Sequence, residues 1–483
     1  MSTSRTLPTP AWPAWGRAAL YGLMIAAAVI GFLAICEVGR HYLPPTTIAA
    51  APATVTVAPA PQTAAHPVSG SLLFHLLLAL VTVIAAGQLL GQAFRLLGQP
   101  PVIGEVIAGI VLGPSLLGRI APEAYAFLLP TSGDADIRPI LGTIAQLGVI
   151  LYMFVIGLEL DSKQFRKQAR AALAISHASI VAPFLLGALL ALGIYRSLAP
   201  ANVSFMLFAL FMGVSLSITA LPVLARILAD RRMTQTPLGV MAITCAAIGD
   251  VSAWCLLAFV VGVAQAQVVG AVGVLLWSIV YLAAMLLLVR PLLRRWTQWL
   301  GERPLSLPIL ALVLLGLLLS ALATEWIGIH ALFGAFVFGA CIEHDSPLAK
   351  NVTRQIESIV LVLFLPAFFV FAGMRTEISL LSGVGDWLVC GVIILLGTLG
   401  KFGGTLLAAR IAGQTWRDSA ALGALMNTRG LMELIVLNIG LDLKIISPTL
   451  FAMLVIMALV TTIATGPLLD LIARPQGRKP ALV

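Results

Sequence analysis

The sequence predicts an all-α polytopic membrane protein, and three observations carry that reading. Sixty per cent of the 483 residues are hydrophobic and only 10% are charged, against roughly 45–50% and about 25% in ordinary soluble domains. The mean hydropathy is +1.03. The apolar residues fall into runs of membrane-spanning length, separated by loops that alternate in basic content, which favours helices over a β-barrel. The same arithmetic excludes a soluble enzyme of this size, a disordered chain and a fibrous one.

Lys and Arg number 29 and Asp and Glu 20, a net charge of +9. In a soluble domain that excess would point to nucleic acid. In a membrane protein it reflects basic cytoplasmic loops, so no nucleic-acid partner is expected. Cys36, Cys245, Cys255, Cys341 and Cys390 lie in or beside apolar runs without CxxC spacing. They read as small buried hydrophobes rather than a disulfide or metal framework.

Along the chain, a short tail (1–16) precedes an extra N-terminal helix (17–38) and a Pro/Ala/Thr-rich linker (39–70). The linker has almost no charge and cannot bury a core, so it is expected to be extended and extracytoplasmic. The extra helix reads as uncleaved, because its apolar core exceeds the usual length of about 7–15 residues in a signal peptide. Thirteen further segments follow within 71–472: 71–97, 101–118, 139–160, 171–196, 204–229, 237–263, 268–293, 305–324, 329–343, 357–374, 386–411, 416–441 and 449–472. Segments 2 and 9, which start at Pro101 and Ile329, are short. The last stretch, 473–483, reads as a cytoplasmic tail too small for a nucleotide-binding regulatory domain.

Basic residues fix the expected orientation. They follow segments 3 (Lys163, Arg166, Lys167, Arg170), 5 (Arg226, Arg231, Arg232) and 7 (Arg290, Arg294, Arg295, Arg303). They also follow segments 9 (Lys350, Arg354), 11 (Arg410, Arg417) and 13 (Arg474, Arg478, Lys479). The positive-inside rule then places the C-terminus in the cytoplasm and the linker outside.

An inverted repeat is visible in the text. Segment 3 ends in FVIGLELD (Phe154 to Asp161) and segment 10 in FVFAGMRTE (Phe369 to Glu377). Segments 2 and 9 are both Gly-rich. Segment 5 carries a polar interruption, SLSITALP (Ser215 to Pro222), and segment 12 another, MNTRGLMEL (Met426 to Leu434). Partners differ by seven segments, an odd number, so two six-helix halves sit inverted with segment 7 between them. One such interruption reads equally as a Pro kink whose hydroxyls bond back to the helix. Matched interruptions in both halves favour crossed, broken helices lining a site at mid-membrane.

Ionisable residues deep in apolar segments cost roughly 2.5–3.5 kcal/mol each on insertion scales, so they are functional candidates by default. They are Glu105, Asp250, Lys401, Arg429 and Glu433, with His75 and His177 as packing residues. Asp250 has no basic residue within a helical turn, so it pairs across helices, stays protonated or binds a cation. Lys401, among Gly400, Gly403 and Gly404, is its candidate cross-helix partner. Arg429 and Glu433 are four apart and meet on one helix face, as a bracing ion pair or as ion ligands. Glu105 follows the Pro100-Pro101 break, where it caps or braces segment 2 or lies on the ion path. The Gly109/Gly113 pair is a helix-packing signal. No phosphate-cradling loop, HExxH or nucleophile elbow occurs, so neither an enzyme nor a self-contained ATP-driven pump is expected, and no cofactor.

Six motifs in order, GQPPVIGEVIAGIVLGPSLLG, FVIGLELD, SLSITALPVLARIL, AAIGDVSAWCLLA, GKFGG and MNTRGLMELIVLNIG, resemble the monovalent cation:proton antiporters of the second class. The likeness is closest to bacterial sodium or potassium/proton exchangers and the plant cation/proton exchanger branch. The resemblance implies a thirteen-helix antiporter fold with a dimerisation domain, a six-helix core and elevator-type alternating access. It implies a homodimer, with segments 1 and 8 in the interface, in a bacterial plasma membrane. Asp250 matches the family's ion- and proton-binding aspartate, the point where the monovalent cation is held. Ser217 and Thr219 match one unwound crossover helix, Arg429 and Glu433 the other, and Lys401 the embedded basic residue. Gly249 departs from the pattern, because related proteins carry an acid, Asn or Gln there. One carboxylate exchanging one proton for one cation implies electroneutral exchange, with potassium ahead of sodium by resemblance. A non-transporting sensor or scaffold, and another inverted-repeat solute transporter, are the alternatives.

Overall fold

A computed structural model describes residues 14–42, 72–130, 136–159, 164–234, 236–265, 268–301 and 305–473. Most of the linker, Leu160, Asp161, Lys163, Arg303, Arg474, Arg478, Lys479 and the terminal tails lie outside the described residues, as do the side chains of Arg166, Lys167 and Arg170. Among the described residues every regular element is helical, as expected. Eleven helical stretches among the described residues are long and apolar enough to cross a membrane.

The first half runs α1 (Ala14–Tyr42), α2 (Leu72–Leu96), α3 (Pro101–Leu112), α4 (Leu117–Ile120), α5 (Pro122–Leu128), α6 (Arg138–Glu159) and α7 (Gln164–Leu198). It continues through α8 (Phe205–Ser217), α9 (Leu221–Asp230) and α10 (Pro237–Gln265), and segment 7 follows as α11 (Val268–Ala284) and α12 (Arg290–Leu300). The second half runs α13 (Leu307–Ile327), α14 (Ala331–Cys341), α15 (Pro347–Ile359), α16 (Leu365–Met374), α17 (Val384–Thr398), α18 (Gly404–Ile411), α19 (Trp416–Met426), α20 (Leu431–Asp442) and α21 (Pro448–Ala473). One-turn π stretches at Met285–Val289, Val360–Phe364 and Leu399–Gly403 join α11 to α12, α15 to α16 and α17 to α18.

Segments 5 and 12 are each split, into α8/α9 and α19/α20, at the two polar interruptions. Two stretches expected to be loops are helical instead. Lys350 and Arg354 ride on α15, started by Ser346, whose side chain accepts from the Ala349 N–H, and by Pro347. Leu348, Val352 and Ile356 recur every four residues on its buried face. Arg290, Arg294 and Arg295 likewise ride on α12, so a charged amphipathic helix continues segment 7.

Packing falls mainly into two groups: α2, α3, α6, α13, α14 and α16 in one, α7 to α10 with α17 to α21 in the other. The first group shows the inverted repeat in its glycines. A Cβ on Gly157 of α6 would lie 3.0 Å from the Gly339 Cα of α14, and one on Gly339 3.0 Å from the Gly157 Cα. A Cβ on Gly109 of α3 would lie 2.7 Å from the Gly373 Cα of α16, and one on Gly373 2.9 Å from the Gly109 Cα. Segment 3 therefore packs on segment 9 as segment 10 packs on segment 2. The register pairs Gly157 with Gly373, one residue off the alignment of the two FV dipeptides. Backbone sets it, because two helices approach this closely only where neither carries a Cβ.

The extra helix α1 lies against α7 and α8. Phe32 meets Phe184 at 5.4 Å between ring centroids. At Gly39 a Cβ would collide with the edge of the Phe205 ring.

Gly339→Val forces α6 and α14 apart and is expected to cost about 1–3 kcal/mol, as overpacking does. Gly193→Ala, at an exposed position of α7 where a Cβ meets nothing within 4 Å, is expected to be neutral or to stabilise by up to about 1 kcal/mol. Melting curves of the two purified variants in detergent check the contrast.

Candidate functional site

Both breaks follow from local sequence. Ser204 caps α8 by accepting from the Leu207 N–H, and α8 then runs on buried apolar residues to Ser217. Ile218 is extended and Pro222 restarts the chain as α9. Thr415 caps α19, whose helix ends at Met426. At Gly430 a Cβ would sit 2.6 Å from Val223 Cγ2, so the second break passes close to α9 only as glycine.

The two unwound strands cross and bond. The Ala220 N–H donates to Thr428 O at 3.0 Å, and the Thr219 hydroxyl donates to Met426 O at 3.0 Å. Thr462 of α21 clamps the second break, accepting from the Arg429 N–H at 3.0 Å and donating to Arg429 O at 2.7 Å. Nothing in the sequence marked Thr462 except a hydroxyl inside an apolar run.

The C-terminal end of α8 presents carbonyls that lack helical donors. The buried Arg429 answers two of them, donating to Ser215 O at 2.8 Å and Leu216 O at 2.6 Å. The buried Lys401 donates to the next, Ser217 O, and to Ser179 O at 3.3 Å. Two cations thus sit at the negative end of one helix dipole. Arg429 also holds Glu433 at 2.7 Å, with neither side chain exposed. The Lys401 turn is a π stretch packed on Pro183 inside α7: a Cβ on Gly400 would stand 2.7 Å from the Pro183 Cα. A single π turn inside an α-helix is frequent at functional sites.

Asp250 lies on α10, 4% exposed, with the Leu221 N–H at the start of α9 directed at its carboxylate. Its Oδ1 has no hydrogen-bond partner. No ion pair within 4.0 Å joins it to Lys401 among the described residues; the expected cross-helix partner bonds Ser217 O of α8 and Ser179 O of α7 instead. The physical reason is that a carbonyl at the end of α8 would otherwise be orphaned in the membrane. Ser176 Oγ donates to Cys245 O at 2.8 Å and fixes α7 against α10. A Cβ on Gly249 would meet only Ser176 Oγ, at 3.5 Å, so its lack of a side chain is not imposed by space.

Asp250, Ser217, Thr219, Lys401, Arg429 and Glu433 therefore gather at one crossing. The Ser217 hydroxyl donates to Gly213 O at 2.7 Å and to Ile180 O at 3.0 Å, leaving its lone pairs for any ligand. Other buried polar atoms at the crossing lack partners: Ser215 Oγ, Asn427 Oδ1, Thr428 Oγ1 and Glu433 Oε1. Glu105 is not among this group. Its side chain lies over Gly87 and Gly91 of α2, where added Cβ atoms would stand 3.8 and 3.6 Å from its Cγ. His75 bonds Phe127 O at 2.9 Å and ties α2 to α5, while His177 bonds Leu173 O one turn back at 2.9 Å and meets Ser252 Oγ of α10 at 3.5 Å.

The family model described as sodium/hydrogen exchanger, transmembrane, matches residues 69–474. The chain is similar to the Na(+)/H(+) antiporter NhaS4 of Synechocystis sp., 42% identical over 399 residues, 82% of this chain and 96% of that protein. It is 37% identical to the cation/H(+) antiporter 20 of Arabidopsis thaliana, over 81% of this chain and 48% of that one. It is 33% identical to the K(+)/H(+) antiporter 1 of Saccharomyces cerevisiae, over 81% of this chain and 45% of that one. The chain spans about half the length of these plant and yeast relatives. The solved sodium proton antiporter MjNhaP1 from Methanocaldococcus jannaschii at pH 8 aligns with a TM-score of 0.62. That alignment covers 84% of this chain and 100% of that one at 17% identity, a likeness of fold.

Arg429→Ala strips two α8 carbonyls and Glu433 of their partner at once. It is expected to cost about 3–5 kcal/mol, the usual price of breaking one side of a buried pair. Glu433→Gln is expected to cost less, because Arg429 keeps both carbonyls. Thermal melts of the two variants in detergent measure the difference.

Proposed function

Because this chain belongs to the sodium/hydrogen exchanger transmembrane family, we propose that it is a secondary antiporter exchanging protons for a monovalent cation, potassium or sodium. The observation that carries this reading is Asp250: a carboxylate enclosed at the crossing of two broken helices, with one oxygen unpartnered and no ion pair. A carboxylate in a low-dielectric site is stable when neutralised, by a proton or by a bound cation. The two occupants exclude each other at one pair of oxygens, and that exclusion couples their fluxes. The Ser217 and Thr219 oxygens and the unpartnered Thr428 hydroxyl are the nearby neutral donors suited to a dehydrated monovalent cation.

Lys401 and Arg429 act on this site by holding it in shape. By occupying the α8 carbonyls they keep the break open and leave Asp250 to the ion. With Gly249 in place of a second polar side chain, a single carboxylate trades one proton for one cation. Alternating access is a displacement of the group α7 to α10 and α17 to α21 against the other group, with the C-terminus cytoplasmic and two chains joined as a homodimer through α2 and α13.

Asp250→Asn keeps the shape and removes the titratable charge. In liposomes with an imposed proton gradient and a pH-sensitive dye, wild-type protein is expected to move protons on addition of potassium, sodium or lithium. The variant is expected to show no cation-dependent movement with an unchanged melting temperature. Wild-type rates in Asp250→Asn would remove Asp250 from the mechanism. Gly249→Ala fits the space above Ser176 and is expected to retain exchange within about twofold, with no added response to membrane potential; a large loss would show that the glycine itself is required.

A further inference from the structure

The two helix groups are tied by side chains at one end of the molecule, the end assigned to the outside by the loop charges. Arg375 follows the last turn of α16, in the first group. Its Nη1 donates to Asn438 Oδ1 at 2.9 Å and its Nη2 to Asp442 Oδ1 at 2.5 Å, both on α20 of the second group. The guanidinium also lies 5.8 Å from the Phe371 ring centroid on its own helix. Asn438 is buried, and its amide donates to Leu434 O at 2.8 Å, which fixes its oxygen towards Arg375.

Beside this tie is a cavity of about 210 Å³ between the groups, lined by Gln146, Glu325, His330, Val261, Ile439 and Asp442 among others. Val261 and Ile439 belong to the moving group and Gln146, Glu325 and His330 to the other. Asp442 is thus bonded to Arg375 and also lines the cavity between the groups. Glu325 is engaged locally, accepting from the Ala331 N–H at 2.9 Å at the start of α14.

We propose that Arg375 is a positioning residue for exchange: a latch whose bonds to Asn438 and Asp442 hold the ion-carrying group against the scaffold in this conformation and must break in each transport cycle. The proposal rests on the antiport reading. Three features distinguish it from an ordinary surface ion pair, which holds little. The contact is forked, one acceptor is buried, and it joins elements that otherwise touch sparsely. A sliding displacement of α20 by one helical turn, about 5.4 Å, breaks both bonds together.

Full-length protein in liposomes tests it with Arg375→Gln, Asp442→Asn, the double variant and the exchanged pair Arg375→Asp with Asp442→Arg. Loss of the latch shifts the balance between the two access states. The apparent KM for cation is therefore expected to change by about threefold or more, in opposite directions when cation is supplied from the two sides. The double variant is expected to match the single ones, and the exchanged pair to return towards wild type. Equal changes on both sides, or additive effects, would overturn the latch. Deuterium uptake over 434–446 provides a readout that does not need transport, and it is expected to rise in Arg375→Gln. If wild-type protein moves no protons but uptake rises, the antiport reading fails and the tie stands. If wild-type protein transports and neither uptake nor sidedness changes, the latch fails alone.

Discussion

The α8 helix ends inside the apolar interior, and the rest of the site is arranged around its last carbonyls. In hydrocarbon no water can satisfy a free C=O, and each buried orphan costs about 1–3 kcal/mol. Ser215 O and Leu216 O go to Arg429, and Ser217 O to Lys401. Those commitments explain the neighbouring charges. Two cations at one helix end require a nearby anion, and Glu433 supplies it from the first turn of α20, where the helix dipole also favours a carboxylate. With both cations bonded to carbonyls, Asp250 has the Leu221 amide directed at it and keeps Oδ1 without a hydrogen-bond partner among the described residues. Its availability is therefore a consequence of how the broken helix is satisfied.

The two halves treat their breaks in parallel but not identically. In each, the following helix addresses an amide at the break or at the first residue past it. From α10 that group is the Asp250 carboxylate, directed at by the Leu221 N–H; from α21 it is the Thr462 hydroxyl, on the Arg429 N–H and carbonyl. One half thus carries a titratable group and the other a neutral clamp. Asp250 of α10 and Thr462 of α21 are therefore chemically unequal groups on corresponding helices of the two halves.

The sequence made the breaks legible because Ser, Thr, Asn and Pro interrupt otherwise apolar runs, and the structure places the helix ends at Ser217 and Met426, inside those motifs. The inverted repeat was legible at the level of segments, while its register was not. The FV dipeptides suggested one alignment, and the glycine-to-backbone contacts of Gly157 and Gly373 select another. The partner of Lys401 was not legible at all. Opposite charges in two segments suggest a pair, but carbonyl acceptors leave no mark in a sequence, since every residue has one. Charge counting also misread α15 and the end of α12 as loops. The four-residue spacing of Leu348, Val352 and Ile356 carried the helical signal there, beneath Lys350 and Arg354.

The distribution of contacts bears on how the site could move. Glycine-to-backbone packing stiffens α3, α6, α14 and α16, and backbone bonds across the crossing stiffen the other group. Asp250, Lys401, Arg429 and Glu433 all belong to that second group, so a displacement carries them together without altering their mutual distances. On the proposed reading, the group then crosses the membrane field in two loaded forms, one with a proton on Asp250 and one with a monovalent cation. These forms bear the same net charge, whatever the contribution of the neighbouring cations. A potential of 100 mV acts on each elementary charge with about 2.3 kcal/mol, but it acts equally on both forms. Voltage therefore cancels over a full cycle of one-for-one exchange, and only the two concentration gradients set its direction. A second acid at position 249 would break that cancellation by letting the loaded forms differ in charge.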